Sequence, residues 1–292
     1  MLENFSPVIA GTMNWGVWGA KFSTQDYLRM VEKCLENNVT TFDHADIYGH
    51  YTVEEEFGKA LSGKPALRQS LQLITKCGIR LVAPNRPSHQ IKSYDTSSRH
   101  IIESVETSLT NLGTNYLDLL LIHRPDPLMD PMEVAEAFSV LKSQGKVLNF
   151  GVSNFNPSQA ALIHAAFPIT ANQVEISIIK LSSFTDGTLD YCLKEKITPM
   201  GWSPMGGGKF FEEEDDRNKR IKALSQWLAE KYHVLPEQIL LAWLMKHPAG
   251  IKPVLGTAKH ERIKLAIEAA SIEISREEWF MLWRASTGRE VA

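Results

Sequence analysis

Short runs of β-branched and leucine-rich residues alternate along the chain with longer stretches whose apolar positions recur at helical spacing. That alternation is the pattern of βα units feeding a parallel sheet. The runs predict strands over 8–12, 40–43, 71–76, 117–123, 147–153, 172–175, 198–202 and 252–256. Helical periodicity lies between and after them, over 24–38, 53–62, 98–113, 131–144, 157–167, 186–196, 219–232 and 259–270. Thr52 with Glu55 resembles a capping box, and Asp130-Pro131 and Asn156-Pro157 each put a capping side chain before a proline suited to the first helical turn. Two helices exceed the simple count: one over 236–247, and a final one opened by Ser275 and Glu278 that carries Trp279, Phe280 and Trp283. The longest stretch without a pattern, 78–97, is rich in Pro, Arg, Ser and His, and a loop of that length after the third strand is expected to help wall a substrate pocket. Eight alternations favour a closed (β/α)8 TIM barrel with extra C-terminal helices, an α/β fold typically of about 250 residues. An open doubly wound sheet is the alternative. No repeat or linker divides the chain, so residues 1–292 are read as a single domain.

Composition narrows the partners. The 292 residues carry 31 Lys+Arg against 34 Asp+Glu, a formal charge of −3, so no basic field marks a nucleic acid or an anionic membrane as partner. The three cysteines, Cys34, Cys77 and Cys192, are scattered, without the spacing of a zinc site or a disulfide framework. No metal is expected. Neither a signal peptide nor a run of apolar residues long enough to span a bilayer is visible, and the expected location is the cytoplasm.

Several familiar chemistries are missing. There is no G-x-G-x-x-G, no H-E-x-x-H and no G-x-S-x-G, and residues 58–64 miss the P-loop pattern because Pro65 stands where Ser or Thr would hold magnesium. Ionisable residues instead cluster at strand ends. The stretch 41–49, TFDHADIYG, passes from an apolar strand into Asp43 and Tyr48; Lys76 ends the third strand and His123 the fourth. Taken singly, Lys76 reads as a solvated strand-end lysine and His123 as a structural histidine. A barrel would bring all four together at its C-terminal face, where catalytic residues gather. A phenol has an ordinary pKa of about 10 and is a reluctant acid; a nearby ammonium lowers that value, and a carboxylate keeps the ammonium charged and oriented.

These residues resemble the aldo-keto reductase family over nearly the whole chain, from GTMNWG through FDHADIYG, ITKCG, LDLLLIHRPDP, GKVLNFGVSNF, NQVEIS and GWSPMGGGKF to PVLGTAKHER. The likeness is closest to a bacterial subgroup of NADPH-dependent oxidoreductases without assigned substrates. It implies a (β/α)8 barrel, an NADPH cofactor, a small-molecule carbonyl substrate, and a catalytic tetrad of Asp43, Tyr48, Lys76 and His123. In that scheme Tyr48 is the general acid, Lys76 and Asp43 tune it, and His123 orients the carbonyl.

The resemblance also implies the cofactor contacts. Ser153, Asn154 and Gln173 would meet the nicotinamide carboxamide, and Trp202 would stack on the ring. Thr12, Met13 and Asp43 would line the same cleft. Ser203, Met205, Gly206, Gly207, Gly208 and Lys209 would follow the pyrophosphate, with main-chain N–H groups turned to the anion. The acidic run 212–216 would then face solvent. Gly256, Thr257, Lys259 and Arg262 would hold the adenosine end, with Thr257 and Arg262 on the 2′-phosphate. Gly256 stands where many members have lysine, and Ala266 replaces an asparagine, departures that leave NADPH preferred over NADH less firmly. The N-terminal hairpin that closes the barrel floor in many members is shortened. Substrate choice rests on the loops around Trp15, Trp18, 78–97 and His123. Two other readings stay open: a barrel enzyme forming a Schiff base on Lys76, and an NADPH-sensing regulatory subunit.

Overall fold

The first strand pairs on both edges. Ile9 lies opposite Val254 and Ala10 opposite Phe42, so the sheet closes on itself and the open-sheet alternative falls. The structure is a computed structural model describing residues 2–208 and 215–292. Eight parallel strands form the ring: β1 (Ile9–Gly11), β2 (Thr41–Asp43), β3 (Gln72–Cys77), β4 (Leu117–Ile122), β5 (Val147–Ser153), β6 (Ala171–Glu175), β7 (Thr198–Trp202) and β8 (Lys252–Leu255). They follow one another around it in chain order, each pairing in parallel with its neighbours. Among the described residues the helices of eight residues or more are α1 (Thr24–Glu36), α2 (Val53–Ser62), α3 (Ser98–Leu112), α4 (Pro131–Ser143), α5 (Pro157–Ala166), α6 (Thr188–Glu195), α7 (Asp216–Tyr232), α8 (Pro236–Met245), α9 (His260–Glu268) and α10 (Arg276–Thr287).

Strand parity decides what the ring encloses. Successive side chains point to opposite faces. Ile9, Ile74, Leu119, Leu121, Ala171, Met200 and Val254 share one apolar cluster in the barrel interior, while Phe42, Leu73, Cys77, Leu120, Ile122, Phe150 and Val152 belong to a larger cluster that takes in residues of the surrounding helices. Two residues above Ile74 comes Lys76, above Leu121 His123, above Ala171 Gln173, and above Met200 Trp202. The same alternation that builds the core therefore aims these side chains inward at the C-terminal end. At the opposite end no strand precedes β1 among the described residues, and Leu2 and Phe5 join the interior cluster instead. Lys252 Nζ donates to the carbonyls of Phe5 and Ser6 at 3.0 and 3.2 Å, tying that segment to β8.

The helix starts follow local chemistry. Asp130 accepts from the Met132 N–H at 2.8 Å and Asn156 from Gln159 N–H at 2.9 Å, each followed by its proline. Ser275 and Glu278 form the reciprocal capping pair of α10. Thr52 differs from expectation. Its hydroxyl donates back to the Gly49 carbonyl at 2.7 Å and caps no N–H of the helix. Helices α8 and α10 are bound by exchanged bonds: Trp243 Nε1 donates to the Trp279 carbonyl and Trp279 Nε1 to the Trp243 carbonyl, both at 3.0 Å, with the rings stacked at 13°.

Residues 78–97 are not structureless. Ile79–Arg80 pairs antiparallel with Ser93–Tyr94, and a bridge joins Ala83 to Arg86. No helix among the described residues is long and apolar enough to cross a membrane.

Candidate active site

Asp43 ends β2 with its side chain buried, and Lys76, fully buried on β3, extends to meet it. Lys76 Nζ donates to Asp43 Oδ2 at 2.7 Å, to the His44 carbonyl at 2.7 Å and to Tyr48 Oη at 3.0 Å. An ammonium has three protons, and each here has an acceptor. The other carboxylate oxygen, Asp43 Oδ1, accepts from Gln173 Nε2 at 2.8 Å. His123 follows β4 with its ring edge-on to Tyr48, centroids 6.1 Å apart, and its Nδ1 is buried without a partner. Trp18 covers another side of Tyr48 at 6.3 Å. The four residues predicted from strand ends are thus brought together.

Charge within the cluster is decided by burial and by pairing. Burial is the largest influence on Lys76 and disfavours its charge, yet Asp43 and Tyr48 overcome it and leave the pKa above the ordinary lysine value. Burial also dominates at Tyr48 and raises its pKa, against the downward pull of Lys76 and Arg124. Here the sequence expectation needs correcting. The lysine acts in the expected direction, but desolvation of the phenolate outweighs it, so the phenol is held above its ordinary value. Burial, reinforced by Lys76, Arg124 and Lys92, pushes the His123 pKa well below the ordinary imidazole value, so the ring is neutral near pH 7.

Tyr48 is held by an unusual turn. Gly49, His50 and Tyr51 have successive φ values of 58, 57 and 66°, and only the first is a residue at ease in that region. Two left-handed non-glycine residues in a row persist only where surroundings fix them. The 78–97 segment supplies the fixing: Asn85 Nδ2 donates to the His50 carbonyl at 2.9 Å, the Leu81 N–H donates to Tyr51 Oη at 2.7 Å, and the Arg86 guanidinium lies 4.5 Å from the Tyr51 ring centroid. Ile79, Arg86 and His89 from this segment also line a separate polar cavity of about 180 Å³ with Asp46, Glu54 and His100. Burial raises the pKa of Asp46 and Glu54. The clamp was not legible in the sequence, since its contacts join segments about 30 residues apart.

The residues expected to meet a cofactor fall into groups. Ser153, Asn154, Gln173 and Trp202 form one linked set: Asn154 Nδ2 donates to Ser153 Oγ at 2.8 Å, Ser153 Oγ donates to the Gln173 carbonyl at 3.0 Å, and Trp202 Nε1 donates to Asn154 Oδ1 at 3.0 Å. Asn154 and Ser203 take left-handed φ values of 63 and 49°. Gly206, Gly207 and Gly208 continue at 65, 63 and 94°, beside the half-buried Met205. Three consecutive glycines in that region suit a backbone approached closely by an anion. Lys209 and 212–214 of the acidic run lie outside the described residues; Asp215 caps α7 by accepting from the Asn218 N–H.

At β8 the Gly256 carbonyl accepts from Asn14 Nδ2 at 2.9 Å, the Thr257 carbonyl accepts from Trp15 Nε1 at 3.0 Å, and Thr257 Oγ1 accepts from the Lys259 N–H at 3.1 Å. Lys259 and Arg262 are exposed at the start of α9, and Ala266 is buried in its core face. Two expectations change. Thr12 is fully buried with its hydroxyl on the Asp43 carbonyl at 3.1 Å and His44 Nδ1 at 3.0 Å, so it supports β2 from beneath, whereas Met13 is 40 % exposed. Trp15 is fully buried among Phe22, Tyr27, Phe42 and Phe57, leaving Trp18 as the tryptophan of that loop beside Tyr48. Among the described residues no group of three or more His, Cys, Asp or Glu is placed to hold a metal.

A closed eightfold parallel barrel with a Lys–Asp–Tyr cluster at its C-terminal face defines a class of barrel oxidoreductase. The sequence model of the Aldo/keto reductase family matches residues 7–285, and the chain belongs to that family. It is 46 % identical over 290 residues to the uncharacterized oxidoreductase YcsN of Bacillus subtilis, covering 98 % of this chain and 96 % of the relative. It is 40 % identical over 284 residues to 6-dehydroglucose reductase of Agrobacterium fabrum, covering 95 % of each. A thermostable aldo-keto reductase, solved in complex with the inhibitor epalrestat, superposes with a TM-score of 0.78 at 25 % identity over 96 % of this chain and 95 % of that one. Membership makes the protein an oxidoreductase of the kind that acts on small-molecule carbonyl compounds.

Proposed function

We propose that the protein reduces an aldehyde or ketone to an alcohol with NADPH, and that Tyr48 donates the proton. The observation that carries this reading is the 3.0 Å bond from Lys76 Nζ to Tyr48 Oη. Because the ammonium donates to that oxygen, the phenolic proton is left to point away from Lys76. As a carbonyl oxygen gathers negative charge and takes that proton, the adjacent ammonium stabilises the phenolate left behind. Asp43 and the His44 carbonyl keep the ammonium in place, and neutral His123, 6.1 Å from the phenol ring, is suited to hydrogen-bond the same carbonyl oxygen.

The residues present fit a nicotinamide dinucleotide. Asn154 and Gln173 offer amides beside Trp202, the glycines 206–208 open their backbone, and Arg262 offers a guanidinium free of any ion pair among the described residues. When bound, NADPH supplies the hydride. Thr257 and Arg262 would hold its 2′-phosphate, with Lys259 as a further cation.

The Schiff-base alternative needs a neutral, nucleophilic amine. Lys76 has all three protons engaged and a raised pKa, which argues against it. The test is NADPH consumption over a panel of aldehydes and ketones that includes sugar aldehydes, because relatives carry the name 6-dehydroglucose reductase. Reduction of at least one group of carbonyls is expected. Tight NADPH binding with no turnover on any of them would favour the sensing role.

A further inference from the structure

Resting on the reductase reading, we propose that Arg124 is an anion-binding residue of the substrate pocket and that the favoured carbonyl substrates carry a carboxylate or a phosphate. Arg124 directly follows His123 at the end of β4, and its guanidinium carbon lies 5.9 Å from the Trp202 ring centroid. It thus follows the histidine of the tetrad in the chain and reaches the aromatic at the end of β7. The residue is half-buried, yet among the described residues it makes no ion pair and no hydrogen bond.

Arg68 shows how this chain treats a half-buried guanidinium whose work is structural. It donates to Thr114 Oγ1, to the Leu71 and Tyr116 carbonyls, and to Asp118 Oδ2, at 2.7 to 2.9 Å. Five donors left without acceptors in a partly dry site are costly unless a ligand supplies the acceptors. The nearest acid in sequence, Asp126, does not neutralise Arg124. Its oxygens are taken by Thr96 Oγ1 at 3.0 Å and the Leu128 N–H at 2.8 Å.

The charge reaches the reacting groups. Arg124 acts on both Tyr48 and His123, and Lys92 from the 78–97 segment adds a third positive charge on His123 beside Arg124 and Lys76. No acidic side chain is among the leading influences on His123. A planar fork of donors matches carboxylate and phosphate oxygens, and an anion held there would place a carbonyl a few bonds away beside Tyr48.

The test compares matched carbonyls with NADPH: 4-oxobutanoate against butanal for a carboxylate, and glyceraldehyde 3-phosphate against glyceraldehyde for a phosphate. The wild type is expected to prefer at least one charged member by about tenfold or more in kcat/KM, and which pair shows it identifies the anion. Arg124→Met should bring that ratio close to one, Arg124→Lys should keep part of it, and added salt should reduce it in the wild type. Equal use of charged and neutral partners by the wild type, or an equal loss for both in Arg124→Met, overturns the proposal while leaving the reductase reading intact. So does a preference for a neutral sugar aldehyde over both charged substrates. If no carbonyl at all is reduced, it is the reductase reading that fails, and a titration followed by tryptophan emission, to which Trp202 beside Arg124 contributes, then decides on Arg124. A saturable response to succinate but not succinamide, lost in Arg124→Met, supports the anion site; no response overturns it.

Discussion

The side-chain amide of Gln173 donates to Asp43 Oδ1 over 2.8 Å, while Lys76 occupies the other oxygen of the same carboxylate. Asp43 is therefore shared between the proposed carboxamide contacts on one side and the proton-donating cluster on the other. Gln173→Leu removes one of two partners from a buried charge. It should weaken NADPH binding and also slow hydride transfer at saturating cofactor. A loss confined to cofactor affinity would show that the bond does not link the two.

Lys76→Met removes the only ion-pair partner of Asp43 among the described residues and leaves that carboxylate buried. Breaking such a pair costs about 3–5 kcal/mol. Urea unfolding should show a loss of about that size, and turnover should be severely reduced because the ammonium that hydrogen-bonds the Tyr48 oxygen, the larger of the two charges stabilising its phenolate, is gone. A variant less than about 1 kcal/mol weaker would mean that Asp43 finds water or a proton instead.

Arg262→Ala tests cofactor choice. Arg262 is exposed at the start of α9, near Thr257 and Lys259. If it holds the 2′-phosphate, NADPH should bind about tenfold or more weakly while NADH is nearly unchanged. Equal losses for both in a titration would place Arg262 elsewhere on the dinucleotide or in the fold.

His44 should make the protein acid-sensitive. It is fully buried with Nε2 unpartnered, and burial, helped by Lys76, holds its pKa at about 3 against an ordinary 6.5. Between those values the unfolded chain binds a proton that the folded chain refuses, so stability falls as pH falls from 6.5. One such group loses about 2 kcal/mol by pH 5. His123 acts in the same sense, whereas Asp46 and Glu54, with raised values, gain stability as pH falls toward their unfolded range. The comparison is therefore wild type against His44→Asn in urea at pH 7 and pH 5. The variant should lose about 2 kcal/mol less over that interval, and parallel losses would contradict the assignment.

The barrel was legible because each strand is a compact apolar run and several helix starts carry local chemistry, as at Asp130 and Asn156. Each of the eight barrel strands falls on an expected run, with ends shifted by at most a residue or two. Lys76 and His123 were legible as ionisable residues at strand ends, and parity explains why they point inward, two positions beyond Ile74 and Leu121 of the interior cluster. What escaped depends on contacts between distant segments. The hairpin in 78–97 is two residues per strand, too short for any periodicity, and its bonds to His50 and Tyr51 leave no mark in either stretch. Trp15 reads like Trp18 in sequence, yet packing puts one in the core and the other beside Tyr48. The raised pKa of Tyr48 follows from burial, which residue identity alone does not give. Arg124 stood in plain view in the HRPDP motif, but that it has no ion pair or hydrogen bond among the described residues appears only in three dimensions.

The central claim is that Tyr48 donates the proton, and single-turnover hydride transfer from NADPH to a reactive aldehyde tests it most directly in Tyr48→Phe. General acid catalysis contributes typically 10²–10⁴-fold, so the rate should fall by about that factor while NADPH affinity stays within a few-fold of wild type. In the wild type the phenol, held by burial above its ordinary pKa, should stay in its acid form and keep reduction level from neutral into mildly alkaline pH. A Tyr48→Phe variant that transfers hydride at nearly the wild-type rate would contradict the account.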